Sequence, residues 1–174
     1  MRVRRRSRMT LPAAAPTPPT AADRALLGFA NSAELAARDV YAVAAGLPVF
    51  SAEERTMLVG FRDHHLAAGQ ALAGLVGKDA SNVRENAVYN AFRDKVAGTD
   101  KSAIFDALRE LENTLVSTHL SLVGVLEGTG GSALVASILS IQARHAAALA
   151  LLGGRTITDA LTNQAAPLAP ETAS

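Results

Sequence analysis

The stretch "GKDASNVRENAVYNAFRDKVAG", residues 77–98, decides the fold. It separates two pairs of long apolar runs that repeat at helical spacing, and it carries a short helical pattern of its own near 83–96. The other two connections are brief. "GLPVF" (46–50) joins the first run to the second, and "EGTGG" (127–131) joins the third to the fourth. Short links force antiparallel neighbours, whereas the long one permits a crossover, so the chain reads as two helical hairpins joined across a bundle.

The boundaries of these runs are marked by capping chemistry. Thr20 with Asp23 and Ser51 with Glu54 have capping-box spacing, Gly77 and Gly153 stand at helix ends, and "GTGGS" (128–132) divides the last two runs. Four helices are expected near 20–45, 51–76, 100–126 and 132–152. Ala and Leu at helical spacing, without β-branched alternation, leave no support for strands.

Composition narrows the class. The 174 residues, 49% of them hydrophobic, suit one domain with a real core. Cysteine is absent, which excludes disulfides, thiolate metal sites and thiol nucleophiles. Five arginines lie in "MRVRRRSR", and the rest of the chain holds 12 basic against 16 acidic residues, so the bundle has no nucleic-acid footprint. The Arg-rich and Pro/Ala-rich residues 1–19 read as a disordered tail that could meet an anionic surface, with Met9 as an alternative start. "RRR" invites a twin-arginine reading, but no apolar h-region follows, and a cytoplasmic location is expected. No run reaches 18 uninterrupted apolar residues, so no transmembrane span is expected. Residues 154–174 read as a second tail, with at most one turn around Ile157 to Leu161. Phosphate-binding loops, nucleophile elbows and His-Glu-x-x-His runs are lacking.

Each inward stripe is interrupted by polar residues near its middle. The first helix carries Glu34, the second His65, the third Glu112, and the fourth Gln142 and His145. Helices of similar length align end to end, so these five should converge in one layer, with Tyr41 and His119 one or two turns away. His64 points about 100° from His65 around the helix and exchanges roles with it if the helix is rotated. Two buried glutamates and two histidines satisfy one another either as a hydrogen-bonded network or around a divalent metal.

This order of residues resembles the ferritin-like di-iron carboxylate superfamily. It is similar in particular to small bacterial ferritin-like domain proteins, whose last helix reads Glu-x-x-His-Ala-x-x-Leu where this chain has "QARHAAAL" (142–149). The resemblance covers roughly residues 20–153 and implies an all-α, ferritin-like four-helix bundle with one long crossover between helices 2 and 3. The family pattern takes a Glu from the first and third helices and Glu-x-x-His from the second and fourth. Glu34, Glu112 and His145 match it. Gln142 and His65 stand where the two bridging glutamates would be, and Ala68 stands at the second-helix histidine.

The resemblance with these departures implies a degenerate member: non-catalytic, or weakly binding one divalent ion such as Fe or Mn through Glu34, His65, Glu112, Gln142 and His145. A structural or interaction role, with a protein partner or a homo-oligomer, is the leading expectation. The alternatives are an active iron-dependent oxidoreductase or storage protein, and a pure scaffold.

Overall fold

The structure, a computed structural model, describes residues 14–169. Among these residues it is all helical: α1 (Ala21–Ala45), α2 (Ala52–Val76), α3 (Asn86–Val96), α4 (Lys101–Val125), α5 (Thr129–Leu152) and α6 (Ile157–Ala160), with a 3-10 turn over Gly77–Asp79. α1 packs along α2 and α4 along α5 as two antiparallel hairpins. The crossover carries α3 across the bundle, where it touches α1 and α4.

Local chemistry accounts for most boundaries. Thr20 and Asp23, and Ser51 and Glu54, form reciprocal capping boxes that satisfy the first free N–H groups of α1 and α2. Asp100 caps α4 by accepting from the N–H groups of Ser102 and Ala103. At the end of α2 the chain turns at Gly77 with φ +76, a left-handed conformation that favours glycine. α3 starts at Asn86, three residues later than the period suggested, because Glu85 acts as its cap. The Glu85 N–H donates to Ser32 O at 2.8 Å and anchors this cap on α1. Val88, Phe92 and Val96 then form the buried face of α3.

α5 begins at Thr129 rather than near 132, so most of "GTGG" lies inside its first turn. Its first free N–H groups, those of Thr129 and Gly130, are met from a distance by Thr17 Oγ1 and Thr17 O, and the residues just before the helix are held by Asp23. Asp23 accepts from the N–H groups of Glu127 and Gly128, both at 2.9 Å, and thereby ties the start of α1 to the α4–α5 loop. Gly128 is required there, since a Cβ would meet Pro18 O at 2.7 Å.

Parts of the segments expected to be tails touch the bundle. Thr17 exchanges hydrogen bonds with Thr129, and its carbonyl accepts from Gly130 N–H. Residues 1–13 of the expected basic tail lie outside the described residues. At the other end Arg155 pairs with Asp106, Arg109 donates to Asp159 O, and Leu168 packs against the core while its N–H donates to Thr118 Oγ1. The reason is side-chain pairing with α4, which apolar periodicity does not register.

The core falls into two apolar clusters. One gathers Tyr41, Phe50, Leu58, Phe105 and Leu108 with their neighbours; the other gathers Leu27, Leu72, Leu122, Val135 and Ile138. Between them lies a polar layer. α5 alone among the described helices is long and apolar enough to cross a membrane by length and composition. Its Val135, Ile138, Gln142, His145 and Leu149 are buried against the other helices.

Candidate metal centre

All five residues expected to converge do so. Glu34, His65, Glu112, Gln142 and His145 are each at most 4% exposed. They come from four different helices because their positions at the middle of each inward stripe coincide when the hairpins dock.

His65 is the centre of the layer. Its Nδ1 lies 2.8 Å from Glu34 Oε2 and its Nε2 lies 3.1 Å from Glu112 Oε1. Carboxylates only accept, so both ring nitrogens must carry hydrogen for both contacts to be bonds, which makes the ring an imidazolium. Burial alone would push the His65 pKa down, but the Glu112 charge and the bonds to Glu112 and Glu34 raise it to about 10. Glu112 responds in the opposite direction. Burial would raise it, yet the His65 charge and the bonds from His145 and His65 hold it down at about 2.

Glu112 Oε1 is crowded and Oε2 is not. Oε1 accepts from Tyr41 at 2.6 Å, from His65 at 3.1 Å and from His145 Nδ1 at 3.0 Å. Oε2 is buried with no hydrogen-bond partner. Burial, and then the Glu112 charge, push the Tyr41 hydroxyl well above its usual range, so it stays a donor.

The network continues in both directions. Gln142 Nε2 donates to Glu34 Oε1 at 2.7 Å, and Gln142 Oε1 faces His119 Nδ1 at 2.8 Å. On the other side His145 Nε2 meets His64 Nδ1 at 2.9 Å, and His64 is exposed. Burial, then the neighbouring His145, lower the His64 pKa. The chain of contacts therefore runs from solvent at His64, through His145, Glu112, His65 and Glu34, to Gln142 and His119.

Sequence reasoning placed Tyr41 in the core with its hydroxyl bonded into the layer, as its bond to Glu112 shows, and placed His119 near the layer without assigning it Gln142 as a partner. His119 lies two turns from Glu112 on the same face of α4, and that spacing was the available signal. His64 does not replace His65; it joins the network from the flank of α2 that faces α5. Asn31, one turn before Glu34, was also missed. It is buried and donates to Gly69 O at 2.8 Å, linking α1 to α2 beside the layer.

A metal has one close set of donors here. Ligand atoms of His65, Glu112 and His145 lie within 4.8 Å of one another. The unpartnered Glu112 Oε2 adds an oxygen with free lone pairs. The wider layer contains two carboxylates, Glu34 and Glu112, and Gln142 is neutral. With His65 protonated, the three central groups carry one net negative charge.

A four-helix bundle with one long crossover and a mid-bundle layer of Glu, His and Gln is the architecture of ferritin-like proteins. The family model described as ferritin-like domain matches residues 22–155, and the chain belongs to that family. No curated protein and no solved structure matches the chain.

Proposed function

We propose that this protein is a degenerate member of its family, a bundle that holds at most one divalent ion and serves a structural or protein-interaction role. The observation that supports this reading is the position of His65. Its ring supplies a positive charge between Glu34 and Glu112, so the chain itself already offsets one of the two buried negative charges and only one remains for a metal to neutralise.

A single Fe(II) or Mn(II) suits the nitrogen and oxygen donors of His65, Glu112 and His145, with Glu34 and Gln142 adjacent. Two divalent ions a few ångströms apart would face only two carboxylates, and the repulsion between them would be poorly screened. Binding one ion requires His65 to lose a proton, so affinity is modest and pH-dependent. The interaction role rests on aliphatic side chains left in solvent on α4 and α5, among them Leu120, Val125, Ile141, Leu151 and Leu152. A protein partner or a second copy would cover them.

Anaerobic titration of chelator-treated protein with Fe(II) or Mn(II) tests the reading. The expected result is one weak equivalent with release of protons. Two tight equivalents, or rapid Fe(II) oxidation abolished by Glu112→Ala, would overturn it in favour of an active iron-dependent oxidoreductase or storage protein.

A further inference from the structure

Between α2 and α5 a half-open cavity of about 200 Å³ descends to the polar layer. Its walls are Ala67, Ala68, Leu134, Ile138 and Ile141, its floor is formed by Glu34, His65, Gln142 and His145, and the exposed His64 and Ser137 complete the lining. Ala68 lies one turn beyond His65 on α2, and its small side chain leaves the space open.

The chemistry of the floor decides what fits. Glu34 Oε1 is bonded to Gln142 Nε2 and Oε2 to His65 Nδ1. Both nitrogens of His145 are engaged, by Glu112 and by His64. The two unpartnered polar atoms closest to the network belong to Glu112 and His119, neither of which lines the cavity. His64, the remaining titratable group of the lining, is exposed and already open to water, so a polar group offered to the buried floor finds its acceptors and ring nitrogens taken, and an anionic one would face the Glu34 carboxylate. An apolar occupant loses nothing at the floor and gains contact with aliphatic walls. Dry cavities lined by aliphatic side chains hold benzene at about 150 Å³.

We propose that this cavity is a binding site for a small apolar molecule, the size of one aromatic ring with a short substituent. The floor shares Glu34, His65, Gln142 and His145 with the candidate metal layer, whereas the aliphatic walls that would hold the ligand carry no metal donor, so the proposal is tested on metal-free protein.

Calorimetric titration of chelator-treated full-length protein with toluene, and with benzoate as the isosteric anion, tests the proposal. Toluene should bind saturably at one equivalent and raise the melting temperature, with benzoate at least tenfold weaker. Ala68→Leu should fill the cavity and weaken toluene binding at least tenfold. Because Ala68 is half-buried, Ser137→Leu at the exposed rim provides a second filling variant that keeps the core intact. Absence of saturable toluene binding, tighter binding of benzoate, or wild-type affinity in Ser137→Leu would each overturn the proposal.

Discussion

Glu34 and Glu112, on α1 and α4, are joined through the two nitrogens of one imidazole, at 2.8 Å and 3.1 Å. Neither carboxylate is exposed to water, and the His65 ring is the group that bonds to both of them. Removing it takes the shared positive charge from both.

His65→Gln should therefore destabilise the fold by about 3–5 kcal/mol, the usual cost of breaking a buried ion pair from one side. Chemical denaturation of the metal-free protein measures it. A change within a few tenths of a kcal/mol would mean that water reaches the carboxylates.

Tyr41→Phe removes one of the three donors on Glu112 Oε1 and leaves the ring packing against Phe61 and His65 in place. A bond to a charged acceptor is worth about 1.5–3 kcal/mol, and a loss in that range is expected. The same variant should bind divalent metal at least as well, since it frees a lone pair on the carboxylate.

Stability should peak on the acid side of neutrality. The His65 pKa is raised from 6.5 to about 10, so its contribution is complete below 6.5 and is lost as pH rises through about 10. The Glu112 pKa is lowered from 4.5 to about 2, so its contribution is complete above 4.5 and is lost as pH falls through about 2. Melting temperatures of metal-free protein should be highest between these unfolded values, roughly pH 4.5–6.5, and His65→Gln should flatten the alkaline slope.

Gly128→Ala would push a methyl group against Pro18 O, a backbone atom 2.7 Å away. Overpacking of this kind costs about 1–3 kcal/mol. The expected loss should appear in urea denaturation and should shrink when residues before Thr20 are removed, because that removal takes away the obstructing carbonyl.

The bundle and its layer were legible because both follow from periodicity. Four capped apolar runs defined the helices, and Glu34, His65, Glu112, Gln142 and His145 each broke an apolar stripe at the same height. What periodicity does not encode is rotation about a helix axis and contact with a partner far away in the chain. His64 reaches His145 because α2 presents that flank to α5, and Asp23 caps the α4–α5 loop across more than 100 residues. The contacts of Thr17 and of residues 155–168 escaped for the same reason, since apart from the packing of Leu168 they rest on polar pairing with distant residues.

The division into two hairpins also has a kinetic meaning. α1 and α2 close through residues 46–51, and α4 and α5 through 126–128, whereas the chain joins the two halves through residues 77–100. Glu34 and His65 come from the first hairpin and Glu112, His119, Gln142 and His145 from the second, so the layer is assembled when the hairpins dock. Nearby segments close early and distant ones late. In a chevron plot, Gln142→Ala should leave the refolding arm almost unchanged and raise the unfolding arm. The polar layer then acts as the last latch to close and the first to open, setting how long the native bundle persists rather than how quickly it forms.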